Sequence, residues 1–298
     1  MRDFSQDHRW LSINTATVRK QRGVDWPLLQ ILDACAARGI RAVAPWRDQV
    51  AAAGLQATAQ RLKTHGLELS GYCRGGMFTY TDAASRQATR DDNRRALDEA
   101  CTLGAPCLVL VVGGLPGALS GKAAHRDIAG AREQVTEGIA ALLDDARARR
   151  MPLAIEPLHP MYAADRACIN TLEQALDVCD VLDAQRSGAL GVAIDVYHLW
   201  WDPKLQQQIE RAGPGPAGQR SRLLALHVCD WLTPTTDLLN DRGMMGDGII
   251  DIARIRGWVE AQGYRGYCEV EIFSAAHWWQ QEGGVVLDTC IARHRHCV

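Results

Sequence analysis

Four residues in the second half of the chain, Glu156, Asp195, His227 and Glu271, stand at or near the ends of short apolar runs. Three carboxylates and one imidazole are a hard, oxygen-rich donor set. They suit one divalent cation, Mn2+ first, with Mg2+, Co2+ or Zn2+ as alternatives, and leave positions open for a substrate hydroxyl or carbonyl oxygen. Each residue alone has an ordinary explanation. A carboxylate at a strand end commonly caps a helix or pairs with a cation, and a histidine in an apolar strand is commonly a satisfied core residue. The four together are different, because burying ionised carboxylates unpaired is costly and one shared cation removes that cost.

Such a set needs a scaffold that gathers residues far apart in sequence. The runs Leu11–Thr15, Ile40–Ala44, Leu67–Tyr72, Pro106–Val112, Pro152–Glu156, Leu190–Asp195, Leu223–Val228 and Tyr267–Ile272 read as strands. Amphipathic stretches alternate with them: Asp25–Arg38, Asp48–His65, Asp82–Leu103, Arg126–Arg150, Thr171–Leu182, Lys204–Arg211, Ile252–Gln262 and Val286–Arg295. Asp25 and Asp251 are expected as N-caps, and Gly39 and Gly263 as stops. This rhythm predicts an α/β fold, a parallel eight-stranded (β/α)8 TIM barrel, as one domain over residues 1–298. A doubly wound sheet is the competitor, but the first turn reads Asn14-Thr15-Ala16-Thr17-Val18 and not GxGxxG. The Gly/Pro-rich stretch 212–218 is a loop within the barrel. In a barrel the C-terminal strand ends share one rim, so the four donors can converge there.

The motifs Glu156-Pro157-Leu158-His159-Pro160, Asp195-Val196-Tyr197-His198, His227-Val228-Cys229-Asp230 and Gly246-Asp247-Gly248 before Glu269-Val270-Glu271 occur in this order along the chain. In combination they resemble the xylose-isomerase-like TIM-barrel superfamily of sugar isomerases and epimerases (the sugar phosphate isomerase/epimerase family). The resemblance implies that Glu156, Asp195, His227 and Glu271 are the four metal ligands. It also implies that Glu156 and Glu271 are the catalytic acid/base pair, moving protons on opposite faces of a carbon beside a metal-bound carbonyl. His198 would contact a substrate oxygen. Carboxylates on either side of an activated carbon are chemically suited to removing and returning its proton.

Other polar residues fall on the expected rim. Arg47 and Arg74 end the second and third strands, where each can bind a substrate carboxylate, phosphate or hydroxyl or pair with a nearby acid. His159 can line the pocket or serve an ordinary loop role, and Arg242 lies in a loop that either holds an anion, as barrels often do there, or is a plain turn into the seventh helix. Glu269 shares a strand face with Glu271 by period two and reads as a supporting residue, with the ligand position in place of Glu271 as its alternative. Asp230 reads as an acid orienting His227 or its surroundings. Trp200-Trp201 and Trp278-Trp279 can cover a sugar face or pack the rim.

The expected function is a metal-dependent isomerase or epimerase of a keto-sugar, keto-polyol or related hydroxy-carbonyl compound. The alternative is a dehydratase or lyase using the same metal-stabilised enediolate, inosose-dehydratase-like or acting on a keto-sugar. A phosphodiester nuclease on the same barrel needs early-strand histidines, and Pro45-Trp46-Arg47 and Tyr72-Cys73-Arg74 supply none. With 298 residues, a formal net charge of -2 and 47% hydrophobic residues, the chain has the balance of a globular protein with no general field for nucleic acid. Its ten cysteines form no CxxC pair, no signal-peptide core opens the chain, and no run spans a membrane. The expectation is a cytoplasmic protein with reduced thiols, a small sugar-like substrate and no membrane partner, compatible with a homo-oligomer.

Overall fold

Residues 2–298 are described by a computed structural model, in which parallel strands follow one another around a ring in chain order. The strands are Leu11–Asn14, Ala42–Ala44, a divided third strand, Leu108–Val111, Leu153–Ile155, Leu190–Asp195, Leu223–Val228 and Cys268–Val270. The first strand pairs with both the second and the last. The third strand comes in two pieces. Glu68–Leu69 pairs with the second strand and Tyr72–Gly76 with the fourth, while a bridge from Trp46 to Cys73 spans the break. Nine segments thus build the eight staves of a (β/α)8 barrel.

Helices fill the expected stretches between the strands, from Leu28–Ala37 and Ala83–Leu103 through Ile128–Arg149 and Leu172–Leu182 to Ile252–Ala261 and Gly283–Cys297. Asp251 caps its helix as expected, accepting from the Arg254 amide at 3.1 Å. Asp25 does not cap the first helix. It lies in a small hairpin, Lys20–Gln21 with Val24–Asp25, and Pro27 takes the cap position, since the fixed φ of proline suits a helix start. The second helix is also interrupted: Gly54, at φ +90, ends Arg47–Ala53 before Leu55–His65 begins. No helix is long and apolar enough to cross a membrane among the described residues.

Two layers of packing position the rim. Between strands and helices runs the main apolar core, built on residues such as Ile13, Leu32, Leu97, Leu110, Ile139 and Ile194. Inside the barrel the side chains are small: Cys73, Cys107, Val109, Ala154, Ala193 and Ala225 form a separate cluster. That economy of volume leaves room within the barrel for buried polar groups, among them Ser12, Asn14, Ser70, His227 and Glu269.

Candidate active site

Strand geometry brings the four donors together. Glu156 is the first residue past the fifth strand, its amide still bonded to Leu110 O at 3.1 Å. Glu271 follows the eighth strand in the same way, its amide on Val228 O at 3.2 Å. Asp195 ends the sixth strand and caps the short helix Val196–Leu199, accepting from the Tyr197 amide at 2.7 Å. His227 sits in register with Asp195 on one side and Glu269 on the other. Each of Glu156, Asp195, His227 and Glu271 is buried and offers one ligand atom, all within 4.8 Å of one another.

Positive charge is scarce around these carboxylates. Arg242 Nη1 donates to Asp195 Oδ2 at 3.1 Å and to Glu271 Oε2 at 3.0 Å. Its guanidinium lies over the Tyr197 ring, 4.5 Å from the centroid, with Phe273 at 5.1 Å. His227 Nδ1 is 2.8 Å from Glu156 Oε1. Burial opposes a charge on His227, but Glu269 and Glu156 outweigh it and hold its pKa well above the ordinary value. Burial pushes Asp195 up to about 6 despite Arg242, and it raises Glu271 as well. His198 is driven the other way, well below its usual value, by burial and by Arg242, and is neutral.

A layer beneath the cluster orients it. Asn14 Nδ2 donates to Glu269 Oε1 at 2.8 Å and Glu271 Oε1 at 2.9 Å, while its Oδ1 accepts from Trp46 Nε1 at 2.7 Å. Glu269 also accepts from Ser70 Oγ at 2.7 Å, and its Oε1 lies 3.6 Å from His227 Nε2. Glu269 is therefore a support for His227 and Glu271, in keeping with its place on the strand face. Sequence reasoning misses Asn14, for which a polar residue closing an apolar first strand is the available signal.

Above the cluster lies a cavity of about 230 Å³, lined by Glu156, Glu271, His198, Arg242 and Arg74, and also by Arg19, Trp46, Arg166 and Phe273. Four other expectations need correction. Arg47 does not reach the cavity: its guanidinium holds Asp92 and Glu99 on the following helix, the acid-paired alternative. His159 is outside the cavity lining too, tilted against Trp231 at 4.9 Å and edge-on to Trp201 at 5.8 Å. Arg242 is no loop residue. It pairs in a two-stranded ladder, Asp230–Trp231 with Arg242–Gly243, and is buried. Asp230 serves that region and not His227. It accepts from the amides of Gly246 and Gly248, each at 2.9 Å, and of Ile250 at 3.0 Å.

The donor set fits a divalent cation. Beyond their spacing, four buried carboxylates (Glu156, Asp195, Glu269 and Glu271) face only Arg242 and His227 as cationic partners among the described residues. His227 Nε2 is buried without a hydrogen-bond partner. A shortage of positive charge at clustered buried carboxylates, with the proton affinity of Asp195 and Glu271 raised, is the condition that a bound cation relieves.

A family model described as a xylose isomerase-like TIM barrel matches residues 32–288. No curated protein sequence matches the chain. Among solved structures, protein SMc04130 from Sinorhizobium meliloti 1021 is 55% identical, with a TM-score of 0.88, over 97% of this chain and 98% of that one. The IOLI protein with a bound zinc atom is 16% identical at a TM-score of 0.75, covering 94% of each chain. The 3-keto-D-glucoside 4-epimerase YcjR from E. coli, in its apo form, is 17% identical at a TM-score of 0.71, over 97% of this chain and 99% of that one. The last two likenesses establish the fold alone.

Proposed function

Because the chain belongs to the xylose isomerase-like TIM barrel family, we propose that it is a divalent-metal-dependent isomerase or epimerase of a keto-sugar, keto-polyol or related hydroxy-carbonyl compound. The observation that carries this reading is the convergence of Glu156, Asp195, His227 and Glu271 within 4.8 Å at the floor of a small cavity. These four residues would hold the cation, Mn2+ being the first choice for such donors. When bound, the cation supplies Lewis-acid polarisation of a carbonyl, which acidifies the neighbouring C–H.

The remaining chemistry belongs to the protein. Glu156 and Glu271 are the acid/base pair: one carboxylate takes the proton from the carbon and the other returns one. Burial favours this work, because a carboxylate with raised proton affinity is a stronger base than one in water. Glu271 has such an affinity. His198, neutral and in the cavity lining, contacts a substrate oxygen. Arg242 orients Glu271 through its 3.0 Å bond and faces the cavity beside it. Trp46 and Phe273 give the cavity an aromatic wall against which the carbon face of a sugar can rest.

The test is a screen of keto-sugars and inososes in D2O with metal-reconstituted protein, read by deuterium incorporation. Exchange at a carbon beside the carbonyl supports the reading, and an epimerised or isomerised product completes it. Exchange accompanied by loss of water identifies the dehydratase alternative. Absence of exchange with every substrate, in protein of full metal content, overturns both.

A further inference from the structure

The arginines around the cavity are not equivalent. Arg19 pairs with Asp48, and Arg242 is held by Asp195 and Glu271. Arg74 and Arg166 also line the cavity, yet neither guanidinium makes a hydrogen bond or ion pair among the described residues. They are close enough to repel one another: after burial and the influence of Cys73, the charge of Arg166 contributes to lowering the pKa of Arg74. Two like charges held together without an acid are unfavourable unless a ligand answers them.

Both residues are fixed in place by the backbone. Arg74 belongs to the third strand, Tyr72–Gly76. Arg166 lies in the loop after the fifth strand, its amide on Tyr162 O at 3.1 Å and its carbonyl accepting from the Gly113 amide at 3.0 Å. Two acids that act on these arginines are committed elsewhere. Asp92 is bonded by Arg47 and Arg95. Asp237 is held by the amides of Asn240 and Leu239, and Arg166 is the weakest influence on it.

We propose that Arg74 and Arg166 bind an anionic group, phosphate or carboxylate, at the end of the substrate remote from the Glu156/Glu271 pair. Planar guanidinium groups match the paired oxygens of either anion. The division of charge suits a hydroxy-ketone with one anionic end: the carboxylate floor takes the cation and the reacting carbon, and the guanidinium pair takes the anion. This inference rests on the proposed proton transfer by Glu156 and Glu271 only for the orientation of the substrate.

Calorimetric titration of Mn2+-loaded protein with dihydroxyacetone, dihydroxyacetone phosphate and hydroxypyruvate tests it, since these hydroxy-ketones differ in carrying no anion, a phosphate or a carboxylate. At least one anionic compound should bind tenfold or more tightly than dihydroxyacetone, and which one does so identifies the group. In the Arg74→Gln/Arg166→Gln protein that margin should vanish while dihydroxyacetone binding stays within twofold. The double substitution also separates capture by arginine from chelation of hydroxypyruvate by the cation. Equal binding of all three compounds, a margin that survives the double substitution, or an equal loss for neutral and anionic compounds overturns the proposal. If the double variant does not fold, the wild type at 0.05 and 0.5 M chloride serves instead. The anionic margin should then fall at least fivefold at high salt, and an unchanged margin overturns the proposal. Deuterium exchange measured alongside keeps the two readings apart. Anion-selective binding without exchange counts against the proton transfer alone, and exchange without selectivity counts against this inference alone.

Discussion

Asp195→Asn, in protein stripped of divalent ions by a chelator, isolates the electrostatic state of the cluster. Asp195 has no exposed surface, and burial, opposed by Arg242 and reinforced by Glu271, pushes its pKa from 3.8 up to about 6. A raised folded pKa means that the folded chain binds this proton more tightly than the unfolded one. The associated stability is complete below the unfolded value and is lost as the pH rises through about 6. At about 1.4 kcal/mol per tenfold in proton affinity, the ionised carboxylate costs the metal-free fold about 3 kcal/mol, roughly half of it above pH 5. Asparagine keeps the size and the oxygen that accepts from the Tyr197 amide, but it cannot ionise. The variant should therefore gain about 1.5 kcal/mol on the wild type between pH 5 and pH 7.5. Urea unfolding followed by tryptophan fluorescence measures this, and titrating groups outside the cluster cancel in the difference. Adding Mn2+ at pH 7.5 should reverse the order, because only the wild type keeps the full donor set and gains from ligation. Parallel pH profiles in chelator, or a variant that loses ground as the pH rises, would refute the reasoning.

Glu156→Gln and Glu271→Gln should each slow turnover by about 10²–10⁴-fold, the usual worth of a general base. Elemental analysis should find their metal content less reduced than that of His227→Ala; near wild-type turnover with metal bound would remove both glutamates from the acid/base role. Asp230→Ala strips the acceptor from the amides of Gly246, Gly248 and Ile250. It should cost roughly 1.5–3 kcal/mol in urea unfolding, the usual worth of hydrogen bonds to a charged group, and an unchanged midpoint would contradict the anchoring role. Arg47→Gln should leave KM unaltered and lower stability by about 1 kcal/mol, because its partners Asp92 and Glu99 are part-exposed. A raised KM with normal stability would return Arg47 to the substrate.

Much of the scaffold was legible because strands buried in a barrel are short apolar runs, and their last residues are the ones that face the rim. That rule predicts that Glu156, Asp195 and Glu271 meet at one rim, with His227 one residue short of its strand end, and their ligand atoms do lie together. Side chains with a choice of partners were not legible. Arg47 lies at a strand end like Arg74, and only the folding of the next helix against it supplies Asp92 and Glu99. Asp230 lies three residues after His227, yet its carboxylate turns to the amides of a loop more than a dozen residues further on. Arg166 is not legible, because nothing local distinguishes a loop arginine that enters a cavity from one in solvent. The first helix begins after Pro27 and not at Asp25, a boundary that Trp26-Pro27 carries in the sequence.

The hydrogen bonds of Asn14 also make the site observable. Trp46, one of nine tryptophans, donates its indole N–H to Asn14, whose amide donates in turn to Glu271. Its ring lines the cavity and meets Phe273 edge-on at 5.5 Å. The indole proton is thus separated from Glu271 by one side chain, so any event that changes the charge or position of that carboxylate is relayed to it. In 15N-labelled protein the Trp46 indole resonance becomes a built-in gauge of the site. It needs no attached probe, and it can report cation loading and substrate entry before a turnover assay exists.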